Sequence, residues 1–298
     1  MSHPMKVLIA YDGTQISDAA IEDLRRAGIP DGSDAVVLSV AELWLPPPSS
    51  YGMVDVEFSH GLDDQVRACK ETAAEAVERL KVVFPAWTIR HVVRRGSPGT
   101  QILHEAIDMD ADLVVLGTHG RKGLRKFLLG SVSQKVLQAA PCSVRVSRGR
   151  TEEINSPVRL VIGLDGSLGS TAVVDAVAAR SWPSGTEARL VTAVGPFSAD
   201  GSEVSREMDR VRAFHSDADG ALQAAGLTVT TTVHAASPID LLCEQASLWG
   251  ADCIFVGAWG YGHFGYRFFG SVPAALPSRA GCSVEVVRDR KAASENAS

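Results

Sequence analysis

The sequence has little of what marks a secreted, membrane-bound or nucleic-acid-binding chain. Its five cysteines among 298 residues are odd in number. Cys69, Cys142, Cys243, Cys253 and Cys282 are scattered and never form a CxxC pair, so they suggest neither a disulfide framework nor a zinc site. Buried free thiols are the expectation. No apolar run approaches the ~20 residues that span a bilayer. The run Val7 to Ala10 after Lys6 is too short for the hydrophobic part of a secretory signal. Basic residues are not in excess: 29 Lys and Arg against 35 Asp and Glu leave a formal charge of −6. Nucleic acid and anionic lipid therefore find no global attraction. A cytoplasmic protein with neither kind of partner is expected.

What the sequence does have is an ordinary globular composition, 45% apolar and 21% charged, and enough length for two domains of ~150 residues. It also repeats itself. LIAYDGT (Leu8 to Thr14) matches VIGLDGS (Val161 to Ser167), and RRGSPGTQIL from Arg94 matches HAASPIDLLC from His234. LVVLGTHG from Leu113 matches CIFVGAWG from Cys253, and PCSVRV from Pro141 matches GCSVEV from Gly281. The order is the same in both halves, which divides the chain into domains at 1–149 and 156–290. The charged stretch Arg148 to Pro157, without apolar periodicity, is the linker between them. Extra length in the first copy includes LPPPSSYGM (Leu45 to Met53), whose prolines predict a surface excursion in which Trp44, Tyr51 and Met53 serve loop packing.

Within each copy, short β-rich apolar runs alternate with segments of helical period. Strands are expected near residues 5–11, 34–40, 88–94, 112–117 and 143–147, nearly continuous in apolar residues as parallel strands covered on both faces require. Leu62, Val66, Cys69, Ala73, Ala76 and Leu80 recur at spacings of three and four, one face of a helix. Ser97-Pro98 and Ser237-Pro238 each read as an N-cap and a first-turn proline. The fold class is α/β: two tandem Rossmann-like domains, each a five-stranded parallel sheet with helices on both faces. Ligands of such sheets bind beyond the carboxyl ends of the strands, where the strand order reverses.

The loop after the fourth strand carries the most specific motif. Gly117-Thr-His-Gly120 is followed by nine residues and Gly130-Ser131, and Gly257-Ala-Trp-Gly260 by nine residues and Gly270-Ser271. Each begins where a buried strand ends and closes just before a helix of apolar period. Glycine lets backbone approach a phosphate, and a helix N-terminus offers unpaired N–H groups and the positive end of a dipole. The pattern suits a polyphosphate cradled by the backbone N–H groups of Gly130, Ser131 and Val132, with Gly117 and Gly120 making room for sugar and phosphates.

With this motif in both halves, and with Asp12 and Asp165 each ending a first strand, the chain resembles the ATP-binding members of the universal stress protein family. The resemblance implies adenine-nucleotide alpha hydrolase-like domains that bind ATP, with Mg2+ held by the phosphates, in a regulator of stress responses. It places Ala10 and Asp12 against ribose and adenine and the backbone of Val40 at the adenine edge. Gly117, His119, Gly120, Gly130, Ser131 and Val132 then surround ribose and phosphates. In the second copy the implied positions are Asp165, Val194, Gly257, Gly260, Gly270, Ser271 and Val272. It also implies pairing through the fifth strands, Ser143 to Ser147 and Ser283 to Val287, within one chain or between chains.

Simpler readings stand beside these. The glycines can merely end strands, and Asp12 can close an Asx-turn. Trp259 stands where the first copy has His119, which argues against general acid–base chemistry there. An ATP-using transferase is the alternative function, but neither a His-x-Gly-His pair, a Ser-Gly-Gly-x-Asp-Ser loop nor a Walker Gly-Lys-Ser/Thr is present. The first spacer, RKGLRKFLL, holds Arg121, Lys122, Arg125 and Lys126, so the first site is expected to bind ATP more tightly at low salt. Aromatic residues of the second spacer, Tyr261 to Phe269, are expected to pack between domains.

Overall fold

The computed structural model describes residues 3–42, 55–118, 129–149, 156–194, 201–260 and 269–289. The first copy runs β1 (Lys6–Ala10), α1 (Gln15–Asp23), β2 (Asp34–Ala41), α2 (Asp55–Val83), β3 (Thr88–Arg95), α3 (Pro98–Asp108), β4 (Leu113–Gly117), α4 (Ser131–Ala139) and β5 (Ser143–Ser147). The second repeats it as β6 (Arg159–Gly163), α5 (Leu168–Ala178), β7 (Glu187–Val194), α6 (Gly201–Ala224), β8 (Thr228–Ala235), α7 (Pro238–Trp249), β9 (Cys253–Gly257), α8 (Ser271–Arg279) and β10 (Ser283–Val287). The apolar runs locate the strands of the first copy to within one residue. Helix α2 buries Cys69, Ala73, Ala76 and Leu80, the inner part of its apolar face. Pro98 and Pro238 open α3 and α7 behind Ser97 and Ser237, although neither serine side chain caps its helix.

Both halves are doubly wound, and they share one ten-stranded sheet in the order β3-β2-β1-β4-β5-β10-β9-β6-β7-β8. All pairings within a half are parallel. The halves meet through β5 and β10, which run antiparallel with Arg145 directly opposite Glu285. This central pair relates the copies by an approximate two-fold axis.

The faces of the sheet are filled differently. On one face a single core runs through both copies, with Val144, Val146, Val284 and Val286 packed among residues of α3, α4, α7 and α8. On the other face each copy has its own core, Val7, Ile9, Val37 and Leu113 under α1 and α2, and Leu160, Ile162, Leu190 and Phe255 under α5 and α6. Because strand side chains alternate, Arg145 and Glu285 project between those two cores. Arg145 is fully buried, donating through Nε to Asp23 Oδ2 at 2.7 Å and through Nη1 to Glu285 Oε2 at 3.2 Å. Arg180 at the end of α5 closes the group, donating to both Glu285 oxygens and to the Ala27 carbonyl. Burial opposes the charge on Arg145, but the carboxylate of Asp23, the neighbouring Cys253 and the carboxylate of Glu285 outweigh it and hold its pKa well above the ordinary value. Two guanidinium groups and two carboxylates thus form a balanced polar plug where apolar packing is interrupted. A second link, Arg26 Nε to Asp252 Oδ1 at 2.6 Å, fastens the loop after α1 to the second copy.

Candidate functional site

In each half the sheet order reverses between the first and fourth strands, and a cavity opens there at their carboxyl ends. The first cavity, about 400 Å³, is walled by Ala10, Asp12, Val40, Gly117, Gly130, Ser131 and Val132. The second, about 420 Å³, is walled by Asp165, Gly257, Gly260, Gly270, Ser271 and Val272. Both volumes suit a nucleotide-sized ligand. His119, Gly120 and both nine-residue spacers, apart from Leu129 and Phe269, lie outside the described residues, as does the excursion Leu45 to Met53.

The first-strand aspartates shape the cavity mouths. Asp12 Oδ1 accepts from Thr14 N at 3.1 Å and Thr14 Oγ1 at 2.7 Å, and Thr14 in turn caps α1. Asp165 Oδ1 does the same with Ser167 N at 3.0 Å and adds Ser170 Oγ at 2.7 Å, while Ser167 caps α5. Both turns rely on a glycine in the left-handed region, Gly13 at φ 77° and Gly166 at φ 76°. The Asx-turn and the position on the cavity wall therefore coexist in each copy.

On the opposite side of each cavity a short helix points its N-terminus inward. Gly130 and Gly270 occupy the N-cap positions of α4 and α8 with nearly identical extended geometry, φ −64° and ψ 152° against φ −65° and ψ 154°, and neither helix has a side-chain cap. Gly130 N is tied back to Thr118 O at 2.8 Å, and Gly270 N to Ala258 O at 3.0 Å. The N–H groups of the following first turn face the cavity, with Ser131 and Ser271 exposed beside them. Ser133 adds an anchor to Gly117 O at 2.9 Å, which Pro273 cannot supply in the second copy.

This geometry gives the strand-four glycines and Phe269 further contacts and corrects one assignment, that of Val194. Gly117 lines the first cavity and is also held small by α1, since a Cβ there would lie 2.5 Å from Ile16 Cγ2. Gly257 likewise yields to the Gly169 backbone of α5, at 2.9 Å. Val194 does not line the second cavity. The strand residue equivalent to Val40 is Ala193, and one step along a strand turns a side chain to the other face. Phe269, expected between the domains, packs against the core shared by both copies, lies 5.3 Å beneath the Arg288 guanidinium and also forms part of the second cavity wall.

Sequence reasoning missed the apolar lining. Leu38, Ile102 and Leu116 in the first cavity, and Val191, Leu242 and Val256 in the second, form the floor between strands and the third helix of each copy. All six belong to the buried core shared by the two copies, so nothing in their sequence pattern distinguishes lining from packing. Chemically, each cavity joins an apolar slot to a rim of uncapped N–H groups, a serine hydroxyl and one first-strand carboxylate. The first adds Glu42 and Gln65. Among the described residues no Lys or Arg lines either cavity and no cluster of His, Cys, Asp and Glu could hold a metal ion.

Comparison with known proteins gives this geometry a family. A model described as the universal stress protein family matches residues 4–148 and again residues 158–288. The chain belongs to the universal stress protein family. It is similar to a universal stress protein of Methanocaldococcus jannaschii, 31% identical over 151 residues that cover 50% of this chain and 84% of that protein. Over nearly its whole length it shares the fold of a universal stress protein from Archaeoglobus fulgidus, with a TM-score of 0.66 at 18% identity, covering 95% of this chain and 96% of that one. A functionally unknown protein from Pseudomonas aeruginosa has the same two-copy fold, with a TM-score of 0.64 at 14% identity, covering 98% and 95%. This universal stress protein has no described helix long and apolar enough to cross a membrane.

Proposed function

We propose that this universal stress protein binds ATP in both cavities and acts in the cytoplasm as a nucleotide-dependent regulator of a stress response. One observation carries the reading: the same uncapped glycine-started helix points into a cavity at the sheet reversal, twice in one chain. An apolar slot suits a purine, and a helix N-terminus suits its phosphates. The ribose lies between them, next to Asp12 or Asp165. Mg2+ accompanies the phosphates. Both aspartates spend one oxygen on their turns, which favours binding over proton transfer as their role. Denaturing the purified protein and identifying released nucleotide by mass spectrometry tests the proposal. Recovered ATP supports it, whereas an empty protein that also ignores added ATP–Mg rejects it.

A further inference from the structure

We infer that Arg148 and Arg288 are crossed positioning residues, each steadying from one copy the helix that faces the nucleotide cavity of the other. The inference rests on the nucleotide reading for its ligand, but the link itself is visible in the fold. The two arginines occupy equivalent places, immediately after β5 and one residue past the end of β10.

Their contacts mirror each other. Arg288 N donates to Ser143 Oγ at 3.1 Å, and Arg148 N donates to Ser283 Oγ at 2.9 Å. The Arg288 guanidinium then reaches α4 of the first copy, donating to Leu137 O at 2.5 Å, Gln138 O at 3.3 Å and Cys142 O at 3.3 Å. Arg148 reaches α8 of the second copy and donates to Pro277 O at 3.0 Å, the residue equivalent to Leu137. Leu137, Gln138 and Pro277 all belong to the last turns of their helices, where carbonyls have no partner inside the helix. Each arginine therefore supplies donors and positive charge at the negative end of a helix dipole. Burial pulls the pKa of Arg288 down to about 10, and it stays protonated at neutral pH.

Both helices are only nine residues long, or roughly 13 Å, so each is a short rod with one end at an arginine and the other at a cavity. Fixing its carboxyl end fixes where its first-turn N–H groups point. Helix α8 depends on this more than most, because Pro277 inside it removes a backbone bond. The arrangement also has a direct path between cavities, since Arg288 sits over Phe269 in the wall of the second while holding the helix of the first.

The test uses Arg148→Met and Arg288→Met, which keep most of the apolar stem. In the ligand-free protein, hydrogen exchange in Arg148→Met is expected to accelerate at the start of α8 and not at α4. Arg288→Met is expected to show the reverse. Calorimetry with ATP–Mg, with the other cavity weakened by Ser131→Asp or Ser271→Asp so that the two sites are read apart, then gives the consequence. Arg148→Met should weaken the second site about two- to tenfold and leave the first unchanged, and Arg288→Met should weaken the first by a similar factor. A merely structural role would loosen both copies together, and that uniform pattern, or an effect confined to the substituted copy, overturns the inference. Crossed exchange without any ATP binding in the parent protein would uphold the link and reject the nucleotide reading instead.

Discussion

Replacing Ser131 and Ser271 with aspartate separates binding from folding at the proposed phosphate sites. Both serines are exposed, stand at the first helical position behind an uncapped glycine, and line a cavity. An acidic residue there interacts favourably with the positive end of the helix dipole, by about 0.3–1 kcal/mol, so the fold should be unharmed or slightly stabilised. The same carboxylate would sit within about 5 Å of a bound phosphate. One charge pair at that distance repels by about 1 kcal/mol in bulk water and about 3 kcal/mol at an effective dielectric of ~20. The dissociation constant of each site should rise about 5- to 150-fold, less at high salt where the repulsion is screened. Calorimetry on the double variant, with a thermal melt alongside, measures both quantities. A folded double variant that binds ATP within about twofold of the parent would show that the phosphates do not approach α4 and α8.

Other parts of the molecule give equally direct expectations. Glu285→Gln leaves two buried guanidinium groups facing one carboxylate and should cost about 3–5 kcal/mol in chemical denaturation; a loss below about 1 kcal/mol would show the plug to be solvated. His215 lies against Thr192 at 2.7 Å, and because the Thr192 hydroxyl donates to Leu164 O, Nε2 must carry the proton while Nδ1 is buried without a partner. Burial holds its pKa below the ordinary 6.5, so the unfolded chain binds the proton more readily, and the stability His215 contributes is full above about pH 6.5 and declines as pH falls below it. His215→Gln should flatten that part of the melting-temperature profile, and identical acid slopes in both proteins would contradict the assignment. Gly117→Ala should cost about 1–3 kcal/mol because its methyl meets α1; an unchanged melting temperature would mean that α1 moves freely.

Much of the fold was legible because one pattern was written twice. A strand run is uncertain alone, but LVVLG and CIFVG followed by the same glycine spacing identify β4 and β9 together. The cavity rims were legible for the same reason, since Asp12, Gly130 and Ser131 have exact counterparts in Asp165, Gly270 and Ser271. Less legible was where side chains point. Val194 and Ala193 differ by one position, and only the matching registers of β2 with β3 and β7 with β8 show that Ala193, which lines the cavity, is the counterpart of Val40. The second constraint on Gly117 was illegible because its close neighbour, Ile16, lies about a hundred residues away in sequence. The polar plug was present in the strings PCSVRV and GCSVEV as opposite charges inside apolar strands. Their partners, Asp23 and Arg180, come from helix ends that no local pattern connects to them.

The antiparallel junction of β5 and β10 makes the two halves an obligatory couple. Arg145 and Glu285 are the same position of the repeat, facing itself across the axis. Had two first copies met in that register, arginine would confront arginine, and two second copies would oppose glutamate to glutamate, each without solvent to dilute the repulsion. Each half brings its own counter-ion, Asp23 beside Arg145 and Arg180 beside Glu285, but only the mixed arrangement sets opposite charges face to face across the strand pair. Joining the halves in one chain therefore guarantees equal numbers of each, and their complementary charges remove the incentive for a half to trade its neighbour for a copy of itself from another molecule. The two cavities consequently travel as an ordered pair, always one of each kind, which leaves each free to differ from the other without disturbing assembly.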